Sequence, residues 1–355
     1  MEGKMNRTNR IIIVAIIILL LVLIGYQLRL KSSRESGDEN HSQQDSLLFG
    51  LATGYGGLGD KAFNDMQFKG MLLAKKNHQI NFIYEAPDEN KDDASVIESL
   101  IAKKANIIIA GGGFHMVDPV DSLALKYPQV KFIIIDDQAK HYYPNVASIQ
   151  FKQNEGSFLI GALCAMESKT KKVAMLGADN ITIINDFYEG FKSGAAYIDP
   201  EIKPIIRYIS DTDKTNSPFA NPQVAHKIAD QLYQSENVDI IYQVAAGSGM
   251  GVFNSAKQNK KFAIGVDSDQ DYLAEGYILT SMMKNLDIAI DMIVGKILSE
   301  GFSNTPYKLG LKEKGVGLSD MSFTKENVNP DTIQRLKQIE TDIIQGILIV
   351  PTLIP

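Results

Sequence analysis

The stretch "LLFGLATGYGGLGDKAFND", residues 47–65, joins an apolar run to a loop rich in glycine. Gly54, Gly56 and Gly59 in this loop have the spacing G-x-G-x-x-G, and a helical pattern follows them. A strand, a glycine loop and a helix in this order are typical of a dinucleotide site, in which the loop holds the pyrophosphate. The same order also fits a structural turn, or a loop that binds another ligand.

The residues around this loop argue against a dinucleotide. Glu85 ends the second predicted strand, where an acid that binds the ribose of a dinucleotide would lie. However, the segment "DKAFN", residues 60–64, separates Gly59 from the helix, whereas a phosphate site needs the helix to begin at the last glycine. Asp60 would also bring a carboxylate close to the pyrophosphate. The sequence therefore favours a loop with a different function.

Strand-like and helical patterns alternate along the chain from residue 47. The segment "DDASVIESLIAKKA", residues 92–105, has apolar residues at helical spacing. The runs "NIIIAGG" (106–112) and "VKFIIID" (130–136) are uninterrupted and apolar, as in strands that are buried on both faces. A second series with the same rhythm begins after residue 151. We therefore predict an α/β protein with two parallel sheets.

Composition indicates a folded protein and excludes several classes of function. The chain has 355 residues, of which 45% are hydrophobic and 22% are charged, and its net charge is −6. This acidic balance argues against a nucleic-acid binder, which needs a basic face. Cys164 is the only cysteine and lies in an apolar stretch, so we expect a buried thiol and no internal disulfide. The Cys and His spacings of metal sites are absent from the sequence.

The N-terminal residues predict a membrane anchor. Basic residues precede the apolar run "IIIVAIIILLLVLIG", residues 11–25. No small-x-small cleavage site follows, and Tyr26 stands where the lipidated cysteine of a lipoprotein would lie. We therefore expect an uncleaved signal anchor over residues 1–30 and a flexible polar linker over residues 31–46.

Six motifs follow one another in the order and spacing of a known family. They are "GDKAFND" (59–65), "FKQNEGSFLIGALCA" (151–165), "GFKSGAAYIDP" (190–200), "AAGSGMGVFNSAK" (245–257), "IGVDSDQ" (264–270) and "ILTSMMKNLD" (278–287). On these motifs, the sequence from residue 47 to about residue 345 resembles the basic membrane protein family. Members of this family are substrate-binding proteins of ABC transporters, and many of them bind purine nucleosides.

The resemblance implies a type I periplasmic-binding fold, here preceded by the membrane anchor. In this fold, two Rossmann-like lobes with parallel sheets are joined by a hinge of three crossovers, and the ligand binds in the cleft between the lobes. We accordingly expect a first lobe at 47–150 plus about 284–304, a second lobe at 151–283 plus about 305–325, and a C-terminal helix and tail at 326–355.

The resemblance also implies that a nucleoside is held from both lobes. Phe63 and Phe219 would stack on the two faces of a purine base. Asp267 and Lys284 would hold the ribose, because two carboxylate oxygens suit a vicinal diol. Each residue has a simpler interpretation as well: the phenylalanines as core residues, and Lys284 as a solvated hinge lysine.

Other candidates would contact the edge of the base or the backbone of the ligand cleft. Asn64 offers a donor and an acceptor, although it could equally cap a helix. Asp136 follows an apolar strand, and Asp137 is an alternative for the same role. The glycines of residues 247–251 permit a close approach to the ligand, or else a tight turn and helix packing. The predicted ligand-binding residues are Asp60, Phe63, Asn64, Asp136, Phe219, Gly247, Gly249, Asp267 and Lys284.

Two positions depart from the family pattern. Gly54 lies nine residues before Phe63, where the family usually has an aspartate that contacts the base. Asn221 replaces the acid that usually follows the second phenylalanine. A missing carboxylate leaves one group of the purine edge without a side-chain partner, so the sequence leaves the identity of the base open.

We expect a substrate-binding protein without catalytic activity, because the sequence contains no activated nucleophile or metal spacing. It would be a monomer that binds a nucleoside without a cofactor, docks on an ABC permease, and stays tethered to the cell membrane with its binding domain outside the cytoplasm. The alternative is a membrane-tethered ligand sensor of the same fold, in which lobe closure acts on another partner. A third alternative is an NAD-dependent enzyme, which would retain its cofactor on purification.

Overall fold

The structure is a computed structural model that describes residues 47–54, 56–88, 90–212 and 218–354. The predicted anchor and linker, residues 1–46, lie outside the described residues. Every helix within the described ranges is too short or too polar to cross a membrane.

The first half of the chain alternates strands and helices as predicted. Its elements are β1 (Leu48–Thr53), α1 (Phe63–His78), β2 (Asn81–Glu85), α2 (Asp93–Ala102), β3 (Ile107–Gly111), α3 (Val117–Lys126), β4 (Lys131–Ile135) and β5 (Val146–Phe151). Every residue of β3 is buried, and so is every residue of β5. These strands therefore have helices or loops on both faces, as their uninterrupted apolar sequences require.

The second half repeats the pattern. Its elements are α4 (Gln153–Glu167), β6 (Val173–Gly177), α5 (Thr182–Ile198), β7 (Ile205–Tyr208), α6 (Ile209–Thr212), α7 (Pro222–Gln234), β8 (Ile240–Val244), α8 (Gly249–Asn259), β9 (Phe262–Asp267), β10 (Ile278–Lys284), α9 (Leu286–Glu300), β11 (Tyr307–Leu309), β12 (Val316–Leu318) and α10 (Pro330–Ile344). Short 3₁₀ turns lie at Gly113–Met116, Ala246–Ser248 and Asp271–Ala274.

The strands form two six-stranded sheets, one in each lobe. The first has the order β11-β5-β4-β3-β1-β2, and the second has the order β12-β10-β9-β8-β6-β7. All neighbours are parallel except β12, which is antiparallel to β10. The prediction of two parallel sheets is confirmed, and the order within each sheet is that of a doubly wound lobe.

The chain passes between the two lobes three times. It crosses from β5 to α4, from β10 to α9, and from β11 to β12. We expected the last return near residue 305, but β11 pairs with β5 of the first sheet, Tyr307 lying opposite Ile149. The third crossover therefore lies between Leu309 and Val316. Without β11, strand β5 would form the edge of the first sheet, and the backbone N–H and C=O groups along that edge would be unpaired.

Helices α4 and α5 pack closely through glycine. A Cβ added at Gly161 would lie 2.0 Å from the carbonyl oxygen of Phe191, and one added at Gly194 would lie 2.0 Å from that of Phe158. Cys164, on α4, is fully buried, and burial raises the pKa of its thiol well above the usual value. The prediction of a buried cysteine is confirmed. This packing fixes α5, whose first turns line the ligand cleft.

Candidate ligand-binding cleft

A cleft of about 1080 Å³ lies between the two lobes. Loops that follow strands β1 to β4 form one wall, and loops that follow β6 to β9 form the other. Ligands of open α/β sheets bind outside the carboxyl ends of the strands, so this is where the fold should have its site. Of the predicted residues, the cleft brings together Asp60, Phe63, Asn64, Asp136, Phe219, Gly247, Asp267 and Lys284.

Asp60 organises the start of α1. Its carboxylate accepts hydrogen bonds from the backbone N–H groups of Ala62 (2.9 Å), Asn64 (2.9 Å) and Asp65 (3.2 Å). Burial raises the pKa of Asp60, and these backbone hydrogen bonds oppose the increase. Asp60 thus ties the glycine loop to the helix and sets the position of Phe63, which is the first residue of α1.

Asn64 is held by the glycine loop. Its Oδ1 accepts a hydrogen bond of 3.0 Å from the backbone N–H of Gly54, and the residue is 5% exposed. Its Nδ2 has no hydrogen-bond partner among the described residues. The interpretation of Asn64 as a helix cap is wrong, because the residue lies inside α1 and its oxygen bonds the preceding loop.

Lys284 is the buried cation of the cleft. Its ammonium nitrogen lies 2.6 Å from Oδ2 of Asp136, and its side chain is 1% exposed. The rings of Phe63, Phe151 and Phe187 surround it, with their centroids 5.9, 5.5 and 4.8 Å from the nitrogen. A carboxylate and aromatic faces both stabilise a charge that has been removed from water. The interpretation of Lys284 as a solvated lysine is therefore wrong.

Asp136 and Asp267 occupy matching positions in the two lobes. Asp136 follows β4 directly, and Asp267 is the last residue of β9. Both have a φ of 67°, which is uncommon for a residue with a side chain. Such strain is often found at binding sites. Asp137 does not line the cleft, whereas Asp136 does, so the structure separates these two candidates.

The carboxyl group of Asp267 is 7% exposed and has no hydrogen-bond partner among the described residues. Burial raises its pKa to about 7; Lys284 opposes this increase, whereas Asp136 and Asp60 add to it. In its ionised form, this carboxyl group has two oxygens that can accept hydrogen bonds from a ligand.

The loops of the second lobe bring Phe219 and Gly247 to the opposite wall. Phe219 is half-buried, and its carbonyl oxygen accepts a hydrogen bond of 3.1 Å from the N–H of Ser248. A Cβ at Gly247 would lie 3.8 Å from Cβ of Asp60, so the two lobes approach closely there.

The other two glycines of this loop lie behind the cleft. A Cβ at Gly249 would lie 2.3 Å from Cδ of Gln243, and one at Gly251 would lie 2.0 Å from the carbonyl oxygen of Pro222. Both positions require glycine for packing, and neither belongs to the cleft wall. Gly249 is thus a predicted site residue that the structure does not bring to the site.

Sequence reasoning missed the aromatic residues beneath Lys284. Phe187 is 3% exposed and lies on α5, which follows the first strand of the second lobe just as α1 follows the first strand of the first lobe. This repeated placement was the signal that could have identified Phe187 as a counterpart of Phe63. Phe151 ends β5 at the first crossover, and nothing in the apolar residues around it distinguishes it from an ordinary core residue.

Glu85 does not belong to the cleft wall. Its carboxylate accepts hydrogen bonds from Lys91 (2.9 Å), Ser99 (2.7 Å) and Lys103 (2.5 Å). An acid committed to three donors is not available to the ribose of a dinucleotide. Within the described ranges, no group of three or more His, Cys, Asp or Glu residues is arranged to hold a metal ion.

A sequence profile described as "ABC transporter substrate-binding protein PnrA-like" matches residues 52–353. The chain belongs to this family. The family comprises substrate-binding proteins rather than enzymes, so the chain has a small-molecule ligand and an ABC permease as its partner.

Relatives of the chain cover almost its whole length. A protein of Listeria innocua named "CD4+ T-cell-stimulating antigen" is 28% identical over 90% of this chain and 91% of its own. The "ABC transporter nucleoside-binding protein BmpA" of Lactococcus lactis is 26% identical over 96% of this chain and 99% of its own. A solved ABC solute-binding protein from Aeropyrum pernix has a TM-score of 0.77 and 23% identity, and the match covers 86% of this chain and 94% of that one. The type I periplasmic-binding fold is confirmed.

Proposed function

We propose that this protein is the extracytoplasmic binding component of an ABC transporter for purine nucleosides. The observation that carries the proposal is the group of residues at the floor of the cleft. Lys284 is buried there beside Asp136 and three aromatic rings, and Asp267 lines the same cleft. A nucleoside presents a flat base and a vicinal diol, and the cleft offers aromatic faces beside a buried carboxylate. The Lactococcus lactis relative, named as nucleoside-binding, supports this assignment.

Stacking would supply much of the affinity. Phe63 enters the cleft from the first lobe and Phe219 enters from the second, so a base bound between them would be covered on both faces. Each base–aromatic stack is worth about 1–3 kcal/mol. Because Phe63 and Phe219 belong to different lobes, a base that stacks on both rings would also favour lobe closure.

The charges of the cleft favour a neutral ligand. Among the described residues, seven aspartates line it against two lysines: Lys91, which is paired with Glu85, and Lys284, which lies at the floor and is paired with Asp136. The resulting negative potential would repel the phosphate of a nucleotide. The ribose hydroxyls of a nucleoside would instead donate to Asp267, and Lys284 would donate to a hydroxyl oxygen.

The location and assembly of the protein are part of the same proposal. We propose a monomer that is tethered by residues 1–30 and places the cleft outside the cytoplasm. The relatives named "Basic membrane protein A1" and "Uncharacterized lipoprotein PH1714" support a membrane location. A ligand sensor would use the same cleft, but the family of ABC transporter components favours transport.

Titration calorimetry on the purified full chain tests the proposal. We expect a purine nucleoside to bind well, its 2′-deoxy form less well, its free base weakly, and its 5′-monophosphate hardly at all. Phe63→Ala and Phe219→Ala should each cost about 1–3 kcal/mol of binding free energy. Phe323→Ala is the matched control, since this phenylalanine is 43% exposed and lies away from the cleft wall. Equal affinities for all four ligands, or wild-type affinity in both cleft variants, would contradict the proposal.

A further inference from the structure

The orientation of the Asn64 amide is fixed by its contact with the glycine loop. The backbone N–H of Gly54 can only donate, so the atom 3.0 Å away must be the amide oxygen of Asn64. The oxygen is thereby occupied by the protein. The amide nitrogen, which has no hydrogen-bond partner among the described residues, is left for the cleft that Asn64 lines. The uncommitted group that Asn64 offers a ligand is therefore a donor, whereas its oxygen already accepts the hydrogen bond of Gly54.

Gly54 supplies no acceptor beside this donor. A Cβ at Gly54 would lie 3.3 Å from Oδ1 of Asn64 and 3.4 Å from Cα of Gly112, so a side chain there would project next to the Asn64 amide. The carboxylate of Asp60, on the same loop, already accepts three backbone hydrogen bonds. A ligand edge placed against Asn64 thus meets an N–H group, and both oxygens of the Asp60 carboxylate on the same loop already accept hydrogen bonds from the protein.

Purine nucleosides differ at just such an edge. In guanine, N7 and O6 are both acceptors, and hypoxanthine has the same pair, whereas adenine combines the N7 acceptor with the N6 amino donor. We propose that the Gly54–Asn64 wall makes this cleft selective for 6-oxopurine nucleosides, inosine and guanosine, over adenosine. This selectivity rests on the proposed nucleoside function.

The opposite edge of the base is met by Asp136. The strand order places the ends of β4 and β1 two strands apart, roughly 10 Å at the usual strand spacing. This distance suits a purine ring with a hydrogen bond on each edge. Oδ1 of Asp136 has no hydrogen-bond partner among the described residues. It can accept from the N1–H group of a 6-oxopurine, whereas N1 of adenine is itself an acceptor.

Calorimetry of the full chain with inosine, guanosine and adenosine tests the inference. In the wild type, adenosine should bind more weakly than inosine or guanosine by about tenfold or more. The N6 amino group of adenine would have no acceptor at this wall and would instead face the amide N–H group of Asn64. Gly54→Asp should reduce this ratio by adding a carboxylate next to Asn64. The φ of Gly54 is not positive, so its backbone accepts a side chain. Gly54→Ala is the matched control for the added bulk: it fills the same space beside Asn64 without a carboxylate, so it should change the affinities for all three nucleosides alike and leave their ratio unchanged.

A second variant tests the same inference if the Gly54→Asp protein does not fold. Asn64→Asp keeps an oxygen for the N–H of Gly54 and replaces the donor with an acceptor, so adenosine should gain relative to inosine. Similar wild-type affinities for all three nucleosides, or a preference for adenosine, would overturn the inference but leave the nucleoside function intact. An unchanged ratio in folded Gly54→Asp and Asn64→Asp variants would also overturn it. Failure of the wild type to bind any of the three would instead contradict the proposed function.

Discussion

At the scale of single residues, Asp267 is the group whose state a ligand should change most. It is buried among charges of both signs: Lys284 lowers its pKa, and Asp136 and Asp60 raise it. Burial dominates and brings the pKa to about 7, so the carboxyl group is partly protonated near neutral pH. A ligand that donates two hydroxyl groups needs the ionised form, because a protonated carboxyl group has fewer acceptor sites.

We therefore predict that nucleoside affinity depends on pH through Asp267. Because the pKa of about 7 lies above the usual value, the ionised form is lost as pH falls through 7. Affinity should be highest and level above this pH and should fall by up to about tenfold per pH unit below it. Calorimetry at several pH values measures the profile, and proton release on binding near pH 6 should be visible in buffers of different ionisation enthalpy. Asp267→Asn should flatten the profile, and a wild-type profile that is already flat would contradict the prediction.

At the scale of elements, the sequence pattern predicted most strands and helices but missed the two three-residue strands β11 and β12. Strand β4 was predicted within the apolar run at 130–136 and lies at Lys131–Ile135, because that run has clear ends. Strands β11 and β12 have three residues each, which is too short for a periodic pattern, so the third crossover was placed several residues early. Phe187 escaped notice for a related reason: an apolar residue on an amphipathic helix resembles an ordinary core residue.

The glycine contacts between α4 and α5 lead to a prediction on stability. Gly194→Ala should lower the free energy of unfolding by about 1–3 kcal/mol, since the new methyl group would meet the Phe158 carbonyl at 2.0 Å and force the helices apart. Denaturant unfolding measures the change. Gly317→Ala is the control, because a Cβ there has no heavy atom within 4 Å. Equal stability of the two variants would show that the helices can adjust without cost.

At the scale of the whole molecule, the lobes touch directly across the cleft. The carbonyl oxygen of Lys61, in the first lobe, accepts hydrogen bonds from Ser268 Oγ (2.6 Å) and Gln270 Nε2 (3.0 Å) of the second lobe. Gln270 is held in place because its Oε1 accepts from Gln243 Nε2 (2.8 Å) and from the N–H of Val266 (2.9 Å). None of the three residues in the contact lines the cleft. The contact therefore acts on closure and not on the ligand itself.

Ser268→Ala should consequently weaken nucleoside binding without removing any contact to the nucleoside. The lost hydrogen bond joins the two lobes and would break when they separate, so the dissociation rate should rise by about two- to tenfold while the association rate stays nearly constant. Stopped-flow measurements separate the two rates. Ser299→Ala is the control, because the partners of that hydroxyl in the described part of the chain are carbonyl groups of its own helix, at Gly295 and Lys296. A slower association rate with unchanged dissociation would contradict the prediction, because it would mean that the Lys61 contact does not hold the closed lobes together.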